Sequence, residues 1–433
     1  MLKKTIKFAS IGLAAFILAS CSGNSDKSST TDGDITIQFM TSSVEQERLD
    51  TIEGLIEKFE AENKGVTVEV VPVEEDSYNT NIVTLAQAGE MPAVIETGQE
   101  YAKTLASEQL IDLEATTKVL KEIGEENYYK GALSLIRSED GDEFLGVPLS
   151  GWVQGIWYSK SIFANADLKE PTNWDELLKA AEVLTDSANK KYGIALPTVE
   201  GTFSEQSFSQ FALSNDANIL TADGKLNIDN PEFKDALTYY QKLSEYTMPG
   251  SNDTTEVKDA FSNGTAAMAV YSTYILPSVF ENGDPSDIGF IIPTEKSEAV
   301  YGSVTALTIS AGLEEGEKNA AEKFIAFLSQ PENMTEWVLM SPGGGQPVSD
   351  VVIENETYQN NEVVQSFGEL SIEIAEAFNS VQAFGLVKDK NYTIMGEITG
   401  TNALGTMVNQ VTVGDMNVED ALSGARETLE PLF

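Results

Sequence analysis

From Asp34 onward the apolar positions switch between two periods. Over Asp34–Met40 they alternate, with Ile35, Ile37 and Phe39 on one face, which predicts a strand. Over Gln46–Asn63 they recur every three or four residues (Leu49, Ile52, Ile56, Phe59), which predicts an amphipathic helix. Val66–Val73 is a β-branched strand closed around Pro72. Tyr78–Ala88 reads as a helix stopped by Gly89, and Ala93-Val94-Ile95 as a short buried strand. The alternation resumes after Gly146-Val147-Pro148. Strands are expected at Gly151–Ser159, Tyr192–Leu196, Ala266–Val270, Ile288–Ile292 and Ala306–Ser310. Helices are expected at Trp174–Leu184 (capped by Asn173), Phe233–Tyr246, Thr255–Asn263, Asn319–Leu328 and Val418–Leu429. Alternating strands and helices argue an α/β fold on a largely parallel sheet, and about 400 residues are too many for one ordinary core, so two lobes are expected.

The first residues follow a different pattern. Met1–Lys7 carries three lysines, Ile11–Ala19 is an apolar run, and Leu18-Ala19-Ser20-Cys21 follows. This order describes a secretory signal peptide over residues 1–20, since the run is far short of the ~20 apolar residues of a membrane span. The small residues before the single cysteine resemble the lipobox of bacterial lipoproteins, which implies lipidation of Cys21. Residues 21–33 then form the lipidated start and a Ser-, Thr- and Gly-rich tether. The expected location is the cell membrane, lipid-anchored and facing outside the cytoplasm. A lone cysteine leaves no internal disulfide.

Charge and composition narrow the chemistry. The chain has 27 Lys plus Arg against 69 Asp plus Glu, a net charge of -42, which repels nucleic acid. Its arginines are Arg48, Arg137 and Arg426, so bidentate capture of an anionic ligand is disfavoured. There is no histidine, which excludes Ser-His-Asp and Cys-His chemistry and the usual zinc sites. No cofactor or metal is expected, although calcium on oxygen ligands stays open. Asp216–Asn230 lacks the spacing of an EF-hand loop, and Asp223-Gly224 reads as a hairpin turn.

Four blocks in chain order carry a family resemblance. Gly146-Val147-Pro148 through Trp157-Tyr158-Ser159-Lys160 resembles a signature that usually ends Tyr-Asn-Lys. Pro171-Thr172-Asn173-Trp174-Asp175-Glu176-Leu177 resembles a Pro-x-Thr-Trp-Glu-Glu-Leu helix start. Phe261–Met268 resembles a Phe-x-x-Gly-x-Ala-Ala-Met segment, and Ala321–Glu332 a late helix. Together they resemble the extracellular solute-binding proteins of family 1, the maltodextrin-binding-like receptors of ABC importers. Departures are Ala93 where the family has Asp, Ser159 for Asn, and small polar Thr399–Asn402 where the maltodextrin receptor has large aromatics. The resemblance implies a two-lobed Venus-flytrap fold with crossings near Ser150–Val153, Pro293 and Pro331. The lobes are then expected as 34–149 plus 294–330 and 150–293 plus 331–433.

A sugar offers apolar C–H faces and a hydroxyl rim, so its site needs aromatic surface and fixed polar groups. Period-two geometry puts Trp152 and Gln154 on one face of the crossing strand. By resemblance, Trp152 falls at a ligand-contacting position, Tyr274 at a sugar-stacking Trp and Glu205 at a carboxylate position, with Tyr271 preceding Tyr274 in the same loop. Loops after first-lobe strands offer Ser43, Glu45, Thr97 and Glu100. In the run Gly343–Gln346, the residues Gly344, Gly345 and Gln346 are expected to bring backbone N–H groups to the ligand. Trp174 and Trp337 are expected in cores. The function expected is a monomeric receptor, not an enzyme, that delivers a neutral sugar or oligosaccharide to the permease of an ABC importer. A polyamine in the same cleft, or a glycan-cleaving surface lipoprotein, are the alternatives.

Overall fold

The computed structural model describes residues 34–388 and 390–433; the expected signal peptide, Cys21 and the expected tether lie outside the described residues. Nine strands form one sheet: β1 (Ile35–Thr41), β2 (Val66–Pro72), β3 (Val94–Gly98), β4 (Val147–Ser159), β5 (Tyr192–Ala195), β6 (Ala266–Ser272), β7 (Ile288–Ile291), β8 (Val300–Ile309) and β9 (Val381–Gln382). The order is β2-β1-β3-β8-β4-β6-β5, with β7 also on β4 and β9 also on β8. Alternation does what the sequence predicts in β1, where Ile37 and Phe39 are buried and Thr36 and Gln38 are exposed.

The sheet is mixed, not largely parallel. β1 runs parallel to β2 and β3, and β5 parallel to β6. The pairs β3–β8, β4–β8, β4–β6 and β4–β7 are antiparallel. The reason is that β4 and β8 are long strands shared by two halves of the sheet. The first part of β4 pairs with β8 from Val147↔Leu307 to Gln154↔Tyr301, with an irregularity between Pro148 and Ser150. Its last part pairs with β6 and β7, from Gln154↔Ser272 to Ser159↔Ile288. Where they pass, backbone and rings come close: a Cβ on Gly151 would lie 2.5 Å from Ser303 O and 2.7 Å from the Phe378 ring. Any larger residue there would push the strands apart.

Each half has its own aromatic core. In the first, helix Gln46–Glu62 buries Ile52, Leu55, Ile56 and Phe59 at helical spacing, and Phe324 meets Phe39 at 5.4 Å and Phe59 at 5.1 Å. In the second, Trp174 stacks on Tyr239 at 4.2 Å, and Phe208, Phe211, Phe233 and Tyr240 pack edge to face. Trp174 and Trp337 are both buried. Helices Gln99–Ser107, Leu113–Ile123, Thr202–Ser214 and Ala403–Thr412 add to those expected.

The chain after Pro331 differs from the expected crossing there. Helix Pro331–Val338 packs on the first half: Trp337 lies 6.1 Å from Phe39, and Glu336 pairs with Lys58 at 2.6 Å. Contact with the second half begins at Gly343, which faces Leu276, and helix Glu362–Phe367 packs on helix Leu276–Asn282. Val381 pairs with Val300, Asn391 Nδ2 donates to Leu135 O and Arg137 O, and the Tyr392 hydroxyl donates to Ala222 O. Proline at the start of helix Pro331–Val338 ends one helix and begins the next without leaving the core beside it.

Candidate functional site

The ends of the parallel strands turn toward one another across β4 and β8. β1 ends at Thr41 and β3 at Gly98 on the first half; β6 ends at Ser272 on the second. Ligand clefts in open α/β sheets form at such carboxyl ends, where the strand order switches. A hollow of about 510 Å³ lined by Thr36, Gln38, Glu69, Gln109 and Gly312 opens at the opposite end of β1 and is separate from this cleft.

The cleft has two clusters. The first surrounds Tyr274, which sits in the short turn Thr273–Ile275 after β6 and is 40 % exposed. The charges acting on its hydroxyl belong to Arg48, Glu96, Glu75 and Glu45, all on the first half. Its ring lies on Gly344, where a Cβ would come within 2.8 Å of it. This corrects the expectation for the glycines. The N–H groups of Gly344 and Gly345 both donate to Ser341 O, at 3.0 and 2.9 Å, and so are not free for a ligand. The Gly344 carbonyl accepts from Thr273 Oγ1 at 2.7 Å, and Gln346 exchanges backbone hydrogen bonds with Gly151. The glycines seat Tyr274 against the crossing strand.

On the first half, Ser43 is buried and its N–H donates to Thr41 Oγ1 at 3.1 Å. Glu45 is exposed, 3.8 Å from Arg48 Nε. Thr97 is buried, its hydroxyl turned to Gly98 O at 3.3 Å. Beside them is Glu96, which the sequence reading passed over. Its carboxylate accepts the Thr41 hydroxyl, and burial raises its pKa against the opposing effects of Thr41, the Ser42 backbone and Arg48. Its signal was present: an acid following two buried residues, Val94 and Ile95, at the end of a strand.

The second cluster lies beside the crossing strands. Trp152 is half-buried and its ring lies 6.0 Å from that of Tyr301. Glu205, in the first turn of helix Thr202–Ser214, is 4 % exposed. Its Oε1 accepts from Thr399 Oγ1 at 2.7 Å and its Oε2 is buried without a partner among the described residues. Glu100 of helix Gln99–Ser107 acts on both Glu205 and Tyr301. That helix touches helix Ile394–Gly400, where a Cβ on Gly396 would lie 2.3 Å from Thr104 Oγ1 and 3.2 Å from Glu100 O.

Two predicted residues stand further back. Gln154 is 1 % exposed and its amide donates to Gln206 O and Gln210 Oε1, both at 3.2 Å, beneath helix Thr202–Ser214. Tyr271 is buried, edge to face with Phe203 at 5.3 Å, and its carbonyl accepts from Trp157 Nε1. Lys103 was not singled out in the sequence, and Thr399 entered only as a departure from the family pattern. Among the described residues no group of three or more acids or cysteines is placed to hold a metal ion, and no helix is long and apolar enough to cross a membrane.

Known proteins share this architecture. A family profile described as bacterial extracellular solute-binding protein matches residues 42–335. The ABC transporter periplasmic-binding protein YcjN of Escherichia coli K12 is 51 % identical over 416 residues, covering 96 % of this chain and 97 % of that protein. The multiple sugar-binding protein of Streptococcus mutans is 25 % identical, over 76 % of this chain and 78 % of its own. The crystal structure of an ABC transporter solute-binding protein from Thermotoga lettingae, bound with α-D-tagatose, superposes with a TM-score of 0.74. It is 23 % identical and the match covers 92 % of this chain and all of that one.

Proposed function

The chain belongs to the bacterial extracellular solute-binding protein family, and we propose that it is the receptor of an ABC importer whose ligand is a neutral sugar. The observation that carries the sugar is the make-up of the cleft. A half-exposed aromatic ring, Tyr274, stands on one side, and buried oxygen groups, Glu205 and Glu96, wait with little or no cation beside them. Sugar C–H faces fit the ring and hydroxyls fit the oxygens. The Streptococcus mutans relative and the tagatose-bound structure support that ligand class.

The two halves of the sheet act as lobes that close on the ligand, with β4, β8 and the segment 377–392 as the three passages between them. On this reading helix Pro331–Val338 stays with the first lobe, and the third passage lies after it instead of at Pro331. Cys21 carries the lipid that holds the receptor outside the cytoplasm, and a permease takes the ligand from the closed form. The protein works as a monomer and turns nothing over. The aromatic ring and the carboxylates also suit a polyamine, so the test includes both. Thermal unfolding is followed with D-tagatose, maltose, maltodextrins, ribitol, D-mannitol and spermidine. A binder at 100 times its Kd adds about 2.7 kcal/mol. A shift with spermidine alone, weakened by salt, would replace the sugar with a cation.

A further inference from the structure

The two cleft acids Glu100 and Glu205 have opposite surroundings. Glu100 has a fully buried lysine as its partner: Lys103 Nζ donates to Oε2 at 3.0 Å from one helical turn away. Gln99 Nε2 approaches its other oxygen at 3.3 Å. Glu205 has no such cation. One oxygen takes the Thr399 hydroxyl, the other has no partner, and the charge acting on it is that of Glu100. The other titratable groups on elements packed around it give no relief. Tyr301 of β8 and Tyr240 of helix Pro231–Ser244 are held neutral by burial. Tyr239 of the same helix is likewise raised by burial, and Tyr158 of β4 donates to Glu170. On the helix with Tyr240, Lys234 is paired with Glu419 and Glu232 with Lys296, while Asp235 and Lys242 complete its charges. Glu397 lies on the helix with Thr399, and Glu200 precedes the helix of Glu205 and accepts from Thr406.

We propose that the closed cleft pairs an ionised Glu100, fixed by Lys103, with a protonated Glu205 that donates its O–H to an oxygen of the ligand. This deepens the sugar-receptor reading and rests on it. Glu205 Oε1 already accepts a hydrogen bond, so the proton resides on Oε2, the atom with no protein partner. A buried donor left unpaired is costly, and a ligand hydroxyl or ring oxygen satisfies it. Burial, helped by Glu100 and opposed by Thr399, pushes the Glu205 carboxyl up to about 7. When the lobes part, Glu205 regains water and returns toward the ordinary carboxylate value. Closure therefore takes one proton from solvent between the two values. The raised group favours the closed form fully below the ordinary value, and that advantage is lost as pH rises to about 7. Affinity for a neutral polyol should fall by roughly 300-fold over that window and level off above it. A polyammonium ligand does the reverse: it favours ionised Glu205 and expels the proton.

The closed form can be held without ligand. Thr104→Cys with Gly396→Cys removes the Thr104 Oγ1 that a Cβ at 396 would meet and puts a thiol on each helix, so that oxidation staples the lobes. In the stapled full chain, carbon-13-labelled glutamate carboxyls are titrated, with Glu205 identified by its loss in E205Q. A midpoint near neutrality is expected, lowered by E100Q. A Glu205 midpoint in the ordinary range of about 4–5 overturns the proposal. Calorimetry with D-tagatose at pH 6, in two buffers of different ionisation enthalpy, should show proton uptake that vanishes in E205Q. Proton release with D-tagatose, or a pH profile unchanged by E205Q, also overturns it. If D-tagatose is silent and spermidine binds, the sugar reading falls, and the stapled titration still decides Glu205 by itself.

Discussion

Gly396 gives the sharpest test of lobe closure. It sits on helix Ile394–Gly400 against helix Gln99–Ser107, and its missing Cβ would fall 2.3 Å from Thr104 Oγ1 and 3.2 Å from Glu100 O. Gly396→Ala therefore overpacks this contact. Overpacking costs about 1–3 kcal/mol, and every 1.4 kcal/mol is tenfold in affinity. If the contact exists only when the lobes close, sugar affinity should weaken about 5- to 150-fold. The ligand-free protein should not suffer, because alanine is better than glycine inside a helix by roughly 0.5–1 kcal/mol. Adding Thr104→Ala removes the nearer obstacle and should restore part of the affinity, leaving the tighter fit to Glu100 O. The assays are calorimetry with the sugar that the thermal screen identifies, and urea unfolding without it. A ligand-free stability lower by 1–3 kcal/mol with unchanged affinity would mean that the two helices are always in contact, and the closure argument would fail.

Further expectations are simpler. Tyr274→Ala should lose about 1.5–3 kcal/mol of apolar burial on binding, seen as a tenfold to hundredfold weaker Kd or so, with little change in unfolding midpoint because the ring is half open. Trp337→Ala should lower stability by about 3–5 kcal/mol by urea unfolding, since Trp337 is buried against Phe39; a loss under 1 kcal/mol would take it out of the core. Cys21→Ala should release the protein from the cell surface or leave it unprocessed; palmitate still incorporated by the variant would rule out that anchor. Exhaustive chelation should leave sugar binding unchanged, and its loss would reveal an oxygen-bound calcium.

The elements that bury one clear face were legible in the sequence. Ile37 and Phe39 alternate, Ile52, Ile56 and Phe59 recur at helical spacing, and Asn173 caps the helix it precedes by accepting from the Glu176 N–H. Helix Gln99–Ser107 was not legible: it buries two polar residues, Gln99 and Lys103, and the partner of Gln99, Val304, is 205 residues away. The role of the glycines around Gly344 was misread for the same reason. Local sequence shows freedom of the backbone, but the ring that needs the space is Tyr274, about seventy residues earlier. The proposed third passage around Val381 and Asn391 was not legible, because Pro331 punctuates the chain strongly while that segment carries only two-residue strands.

The strand order also governs when this protein can finish folding. β8 lies between β3 and β4, so Thr308 Oγ1 reaches Ile95 O across 213 residues, and Val304 N–H reaches Gln99 across 205. Neither half-sheet is complete until the chain has been made past Ile309. Pairings of such long range form slowly. A polypeptide that works outside the cytoplasm must be threaded through a translocation channel while still unfolded, and this topology lengthens the interval in which threading can begin. Circular permutants that bring β3, β8 and β4 next to one another in sequence should fold faster and, for that reason, be exported less well.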